Sequence, residues 1–446
     1  MVLHILLAAA TELYSSPYLV HTGAVVAAVY VVYTFSQGKK TNRERDLHAR
    51  TVLITGGLTP LGLIVAQELA QRGAHLILVT PHAVDTGEAS VLIPLLRSST
   101  SNEEIFAEQC DLTSPSSIRA FCTKFLSGKD QRLDALVFAH EYEHIGPAAL
   151  FSTSQSDRER AEKDREAASL STFLIITLLL PSLLVAPAER DIRVVNVINP
   201  FYAAAIAGTD AINPSPTPDH SKRGLLVSEG LRSLRTCLLM RHLQRILDAL
   251  PAAQVPKTDD GSSTVPVVDP KAQKSNIVAV SVSPGIGRAA TIGKILNADW
   301  TNTTKSKLGI FFYILLQPFF RMLTKSTPYA VQSILHALFL PTPFKIVGEA
   351  STEVLKPGAL YSDCAVVPVN VLSSRFFVPD EVDKSGEAST EEGVTLEDDG
   401  EYGGELAGRL VWEGYEHALL AWERANPGKQ EEKSAPDIDT DSLPQP

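Results

Sequence analysis

From Thr51 onward, short apolar runs alternate with stretches of helical period. TVLIT, HLILVT, IFAEQ, ALVFA, RVVNVIN and NIVAVSVS read as strands, most of them apolar enough to be buried on both faces. Between them, LGLIVAQELAQ closes on Gly73, SPSSIRAFCTKFL follows a serine start, and ASLSTFLIITLLLPSLL and LVSEGLRSLRTCLLMRHLQRILDAL are long helices, the former mostly apolar. The interval from Pro81 to the third strand reads as polar and without an element of its own. Strands separated by helices at this spacing predict an α/β fold: a Rossmann-like, doubly wound parallel sheet with helices on both faces.

The flanks have a different texture. Residues 19–35, LVHTGAVVAAVYVVYTF, carry no Asp, Glu, Lys or Arg, and the following stretch holds Lys39, Lys40, Arg43, Arg45 and Arg50 against Glu44 and Asp46. A run of this length at the short end of a membrane span, with the basic residues after it, predicts a single N-terminal transmembrane helix and a cytosolic body. The expected organisation is therefore an anchor with its basic segment over 1–46, a Rossmann domain over 47–375 with Pro- and Ser-rich insertions near 210–224 and 251–274, and a tail over 376–446. LGIFFYILLQPFFRML, 308–323, is strongly apolar and interrupted by Pro318; it reads either as a core or lid helix or as a rim facing lipid. In the tail, a helix near 405–424 is expected to dock through Trp412, Leu419 and Trp422.

Charge sharpens this division. The net charge of −11 belongs to the tail: Asp380–Pro446 holds 19 Asp/Glu against 5 Lys/Arg, so the tail carries −14 and the remainder +3. A near-neutral body offers no broad basic field, which argues against nucleic acid as a partner, while the acidic tail calls for a protein partner whose identity the sequence leaves open. Four cysteines at 110, 122, 237 and 364, with no close pair, exclude a disulfide scaffold or a cysteine-rich zinc module.

The first candidate chemistry is Thr55-Gly56-Gly57-Leu58-Thr59-Pro60-Leu61-Gly62, lying between a strand and a helix, where a phosphate-binding turn belongs. Such a turn needs glycine where the backbone approaches a pyrophosphate and free N–H groups aimed at its oxygens. Together with CDLTSPSSIRAF, LDALVFA, FLIITLLLPSLL, RVVNVIN, VSPGIGR and GALYSDC, this order of blocks resembles the short-chain dehydrogenase/reductases, in particular their membrane-associated, retinol-dehydrogenase-like branch, over about residues 50–370. The resemblance implies NAD(P) as cofactor, a lipophilic small molecule as substrate, and endoplasmic reticulum or lipid droplet as location. It makes Thr55, Gly56, Gly62, Asp111, Leu112, Pro284 and Gly285 the cofactor-binding candidates. The residues by themselves also allow Asp111 to be a turn residue.

The same resemblance exposes departures. The family's TGxxxGxG pattern has Pro60 in place of its middle glycine, which adds bulk and removes a donor. Its catalysis uses a tyrosine phenol with a lysine four residues later, a serine and an asparagine. None of the 11 tyrosines here is followed four residues later by lysine. Three registers of the expected helix place the pair at Glu229/Ser233, Gly230/Leu234 or Leu231/Arg235, and none supplies a phenol. Asn199 stands where the serine belongs, Ala168 where the asparagine belongs, Phe138-Ala139-His140-Glu141 where the family has NNAG, and Ala289 where a threonine meets the carboxamide. Tyr202, with Lys222 as neighbour, is the candidate for a substitute acid.

His140-Glu141-Tyr142-Glu143-His144 matches HExxH, the zinc-hydrolase signature, in which two imidazoles share a helical face. Here a strand precedes it at once and Ile145-Gly146-Pro147 follows, leaving less than two turns of helix. A third ligand would have to come from Glu159–Glu166, so no metal is assigned, and the segment reads as a polar loop over the cofactor edge. Three functions remain in order: a catalytically degraded, anchored family member that binds or scaffolds; an active NAD(P)-dependent oxidoreductase on a lipophilic alcohol or ketone with substitute residues; and, remotely, the zinc hydrolase. Asn302-Thr303-Thr304 is a glycosylation sequon that reports on topology.

Overall fold

The computed structural model describes residues 17–85, 87–128, 132–143, 145–151, 155–187, 190–206, 224–250, 275–298, 305–342, 353–369 and 404–426. Nearly all of both insertions, Lys222, the Asn302 sequon, His144 and the rest of the acidic tail lie outside these residues.

The six runs of strand pattern form β1 (Thr51–Thr55), β2 (His75–Thr80), β3 (Ile105–Gln109), β4 (Ala135–Phe138), β5 (Ile192–Val197) and β6 (Ile277–Ser283). Two short strands missed by the sequence pattern, β7 (Leu360–Ser362) and β8 (Ala365–Val367), extend the sheet. Its order is β3-β2-β1-β4-β5-β6-β7-β8, parallel throughout except for the antiparallel β7–β8 pair. The order reverses direction beside β1, so a crevice opens between β1 and β4 at their carboxyl ends.

Strand alternation sends side chains to two cores. On one face Val52, Ile54, Leu76, Leu78, Val195 and Val280 pack against α2 (Pro60–Ala70), α3 (Glu88–Thr100) and, through Val331, Ile334 and Leu338, the later helix Thr327–Phe339. On the other, Leu53, Leu136, Phe138 and Val194 meet α4 (Pro115–Ser127), the helix Gln155–Leu184 and the helix Leu225–Ala249. α3 fills the interval that reads as polar; it buries Ala89, Ile93 and Leu96, while Val91 and Leu95 stay exposed and Pro94 lies inside it, which blurs its helical period.

In chain order the remaining helices are α5 (His140–Glu143), α6 (Gln155–Leu184), α7 (Tyr202–Ala205), α8 (Leu225–Ala249), α9 (Lys307–Leu315), α10 (Gln317–Leu323), α11 (Thr327–Phe339) and α12 (Gly404–Ala425). Among the described residues, the helix long and apolar enough to cross a membrane is Glu162–Leu184 within α6, and 61% of its apolar window is buried inside the protein, as suits a core helix. α1 (Pro17–Gln37) instead leaves Val25, Val26, Tyr30 and Phe35 exposed. The apolar stretch 308–323 is two helices, and Pro318 occupies the first turn of the second, where a missing N–H costs nothing. α12 docks on α4, α6 and α8: the Phe173 and Trp412 rings meet edge to face at 5.0 Å, and Leu419 and Trp422 pack at the core margin.

Candidate active site and nucleotide cleft

At the carboxyl end of β1 the chain turns through Gly56, whose φ of +68° and whose ideal Cβ, 2.8 Å from the backbone of His140, both demand glycine. Gly62 is equally constrained, since a Cβ there would fall 2.1 Å from Gly56 O. The turn is tied to itself. Thr59 Oγ1 donates to Gly56 O at 2.7 Å and accepts from Gly62 N–H at 3.1 Å, and Leu63 N–H donates to Thr59 O at 2.8 Å. Pro60 has no N–H, so the Leu61 amide is the remaining donor of the first turn of α2.

This turn forms one wall of a cleft of about 380 Å³. Leu58, Thr59 and Pro60 line it at the centre; Thr80, Pro81, His82, Glu88 and Ala89 line the end beyond β2; Glu143, Ala289, Ala290, Gly293, Lys294 and Tyr313 line the opposite end. Its shape suits a dinucleotide laid across the sheet edge, with Gly56 permitting close approach and Leu61 N–H and the Lys294 ammonium supplying polarity for phosphates. Nicotinamide, when bound, supplies or accepts hydride; the protein's share is to bind and orient it.

Of the sequence candidates, Gly56 lines the cleft, whereas Thr55, Gly62, Asp111, Leu112, Pro284 and Gly285 do not. Thr55 Oγ1 pairs with His140 Nδ1 at 2.7 Å. Asp111 Oδ1 accepts from Thr113 N–H at 2.9 Å and from Thr113 Oγ1 at 2.7 Å, a local turn of the kind that aspartate makes after a strand. Gly285 O accepts from Tyr142 Oη at 2.9 Å. Sequence reading missed Lys294, Tyr313, Glu88 and Tyr142. The signal for Lys294 was its position nine residues past Gly285 in the closing block; Tyr313 offered none, because only packing brings α9 to the cleft.

His140 and Glu141 are not a polar loop but a buried helical turn, each 3% exposed. The correction has a physical cause: β4 delivers them into the polar shell of α6 and α8, where hydroxyls and a backbone carbonyl satisfy them. His140 Nε2 lies 2.9 Å from Ala168 O and Nδ1 faces the Thr55 hydroxyl, so the ring holds one proton on Nε2 and accepts at Nδ1. Burial lowers the pKa of His140 to about 4. Thr172 and Thr236 hydroxyls donate to the two oxygens of Glu141 at 2.7 and 3.1 Å, and burial raises its pKa. With both imidazole nitrogens committed, His140 has no lone pair for a metal. Among the described residues no group of three or more His, Cys, Asp or Glu is placed to hold one.

On α8, in the region spanned by the three registers, lies an ion-pair cluster. Glu229, 2% exposed, meets Arg165 at 3.0 Å and Arg232 at 2.7 Å, and accepts from Gly146 N–H at 3.3 Å. Asn199 Nδ2 lies 3.5 Å from Glu229 O, while Leu231 and Leu234 point into the apolar cluster with α12. Ala168, the residue matched to the family's asparagine, offers its carbonyl to His140. Tyr202 sits on α7 against α8, and its phenol is shifted upward by burial, then by Cys237 and Asp363, all in the same direction. Tyr142 is held near 12 by burial.

Comparison with known proteins gives a family match and several sequence relatives. Residues 50–163 match the KR domain model. The chain is 28% identical over 356 residues to the uncharacterized oxidoreductase YNL181W of Saccharomyces cerevisiae, covering 79% of this chain and 80% of that protein. It is 25% identical to the uncharacterized oxidoreductase pbr1 of Schizosaccharomyces pombe (71% and 77% covered), and 32% identical over 168 residues to human dehydrogenase/reductase SDR family member 13 (38% and 41%). Among solved structures, the short-chain dehydrogenase from Sphingobium yanoikuyae in complex with NADPH aligns at 18% identity with a TM-score of 0.37, over 65% of this chain and 92% of that one. The sheet order, the glycine turn opening α2, the KR domain match and the sequence relatives agree: the chain is similar to the short-chain dehydrogenase/reductases, including retinol-dehydrogenase-like members.

Proposed function

We propose that this protein is a membrane-anchored family member that binds a nucleotide weakly and acts by binding or scaffolding rather than by hydride transfer. The observation that carries the reading is the Glu229 cluster. At one of the three registers considered for the catalytic pair a carboxylate is clamped between Arg165 and Arg232, and none of the 11 tyrosines is followed four residues later by lysine, which argues against the family's phenol–ammonium couple for protonating a developing alkoxide. The glycine turn supports the second half, because Pro60 lacks an N–H and the Gly62 amide is taken up by Thr59 Oγ1, which removes two donors that could face a diphosphate.

Anchoring is supported by the exposed apolar residues of α1 and the cations that follow it. In this reading the body is cytosolic, on endoplasmic reticulum or lipid droplet, and the acidic tail recruits a basic protein partner. The test is calorimetric titration of the full-length protein in detergent with NADPH and NADH, followed by turnover assays with retinoid, sterol and keto-lipid substrates. Weak binding without turnover is expected. Turnover that disappears in Tyr202→Phe would instead establish an active oxidoreductase on a lipophilic alcohol or ketone. A glycan on Asn302 in cells would reverse the topology.

A further inference from the structure

We propose that α9 and α10 form a second membrane contact, lying in the plane of the bilayer interface beside α1; the inference rests on the reading of α1 as an anchor. Leu308, Phe311, Ile314, Leu315, Phe319 and Leu323 are all exposed, Phe311, Ile314 and Phe319 by about 60%, although they are the residues a folded body normally buries. The opposite side of α9 is committed to the protein: Tyr313 lines the nucleotide cleft, Phe312 meets Phe151 at 6.2 Å, and Gly309 is buried.

What covers the outer side follows from its connection to α1. Ser36 Oγ donates to Met322 O at 2.6 Å, Gln37 Nε2 to Thr324 O at 3.1 Å, and Gln37 Oε1 accepts from the amide and hydroxyl of Ser326, both at 3.0 Å. Gln37 is 3% exposed, so the junction is a fixed joint. Phe319 and Leu323 lie within one turn of that joint, and Phe35, the last large apolar residue of α1, directly precedes it. A bilayer that takes up α1 as far as Phe35 therefore meets α10. Charge agrees: from Thr301 to Lys325 the chain carries Lys305, Lys307, Arg321 and Lys325 and no Asp or Glu. Lys307 and Arg321 are exposed toward the outer ends of the two helices, placed to reach phospholipid headgroups. The Tyr313 wall of the cleft then sits at the lipid boundary, and a ligand entering past it comes from the bilayer.

The test uses the full-length protein in phosphatidylcholine vesicles. Cys364→Ser removes the one cysteine that is not buried, and single cysteines introduced at Val26, Leu95, Leu315 and Phe319 carry an environment-sensitive fluorophore. At positions 315 and 319, quenching by acyl-chain spin labels is expected, with iodide quenching several-fold below that at 95 on the exposed side of α3. If position 26 is quenched by lipid but 315 and 319 are open to iodide, the second contact is refuted and the anchor stands. If 26 is open to iodide as well, both fall. If 315 and 319 are shielded from iodide and from lipid quenchers alike, a protein surface such as a second copy covers them and the inference is overturned.

Discussion

Restoring a glycine at position 60 should strengthen nucleotide binding. In Pro60→Gly the ring leaves the mouth of the turn and an N–H returns to the first position of α2, adjoining the lone Leu61 donor. A hydrogen bond from that amide to a charged phosphate contributes about 1.5–3 kcal/mol. Added glycine freedom costs about 0.5–1 kcal/mol. The net gain of about 1–2 kcal/mol corresponds to about 5- to 30-fold in Kd. Thr59→Ala offers an independent route to the same end, since it frees the Gly62 N–H now held at 3.1 Å. That variant also loses an N-cap, so its melting temperature should fall by the equivalent of about 1 kcal/mol while its affinity rises. The assay is calorimetric titration with NADPH, paired with thermal unfolding in detergent. An affinity for NADPH unchanged within about twofold in Pro60→Gly, at an unaltered melting temperature, would refute the argument that depleted donors limit binding.

Four further outcomes follow from the geometry. Gly62→Ala should weaken NADPH binding and lower stability by about 1–3 kcal/mol by overpacking, because its Cβ would meet Gly56 O at 2.1 Å; calorimetry and thermal unfolding measure both effects. Glu229→Ala leaves Arg165 and Arg232 in a site where each is mostly covered, and should cost about 3–5 kcal/mol in chemical unfolding, with Glu229→Gln costing less. Tyr415→Phe removes the 2.6 Å bond to Ser169 and the 3.4 Å contact with Thr236, and a loss of about 1–3 kcal/mol should appear as a lower melting temperature. Stability should also fall as pH drops from 6.5 toward 4, because unfolded His140 takes up a proton that the folded site refuses until about pH 4. At 1.36 kcal/mol per pH unit that amounts to about 3 kcal/mol. Glu141 acts in the opposite sense: its folded pKa is raised, so its contribution is present at low pH and lost as pH rises through the folded value. Unfolding midpoints across pH 4–7 should therefore show a shallower acid slope in His140→Gln than in the parent protein.

Much of the fold was legible in the chain itself. Continuous apolar runs such as TVLIT and VAVSVS are dictated by burial on both faces of a parallel sheet, and helical periods between them fix the crossovers, so six strands and their winding could be read from the residues alone. The missing Tyr/Lys pair was equally visible, because a spacing of four along one helix is a property of sequence. β7 and β8 escaped notice because three-residue strands carry no usable period. α3 escaped because Pro94 sits inside it and its apolar residues, Val91 and Leu95 among them, do not keep to one side.

Tertiary structure decided what the substituted residues do. His140 and Glu141 looked like a zinc motif or a polar loop, and only the packing of β4 against α6 and α8 surrounds them with the hydroxyls and the Ala168 carbonyl that make their burial affordable. The Glu229 clamp joins Arg165 to a residue 64 positions later, a contact no local pattern encodes. The exposure of α9 and α10 likewise depends on which side of each helix the cleft claims. Local periodicity is written residue by residue, whereas the satisfaction of a buried charge depends on partners that folding alone brings within reach.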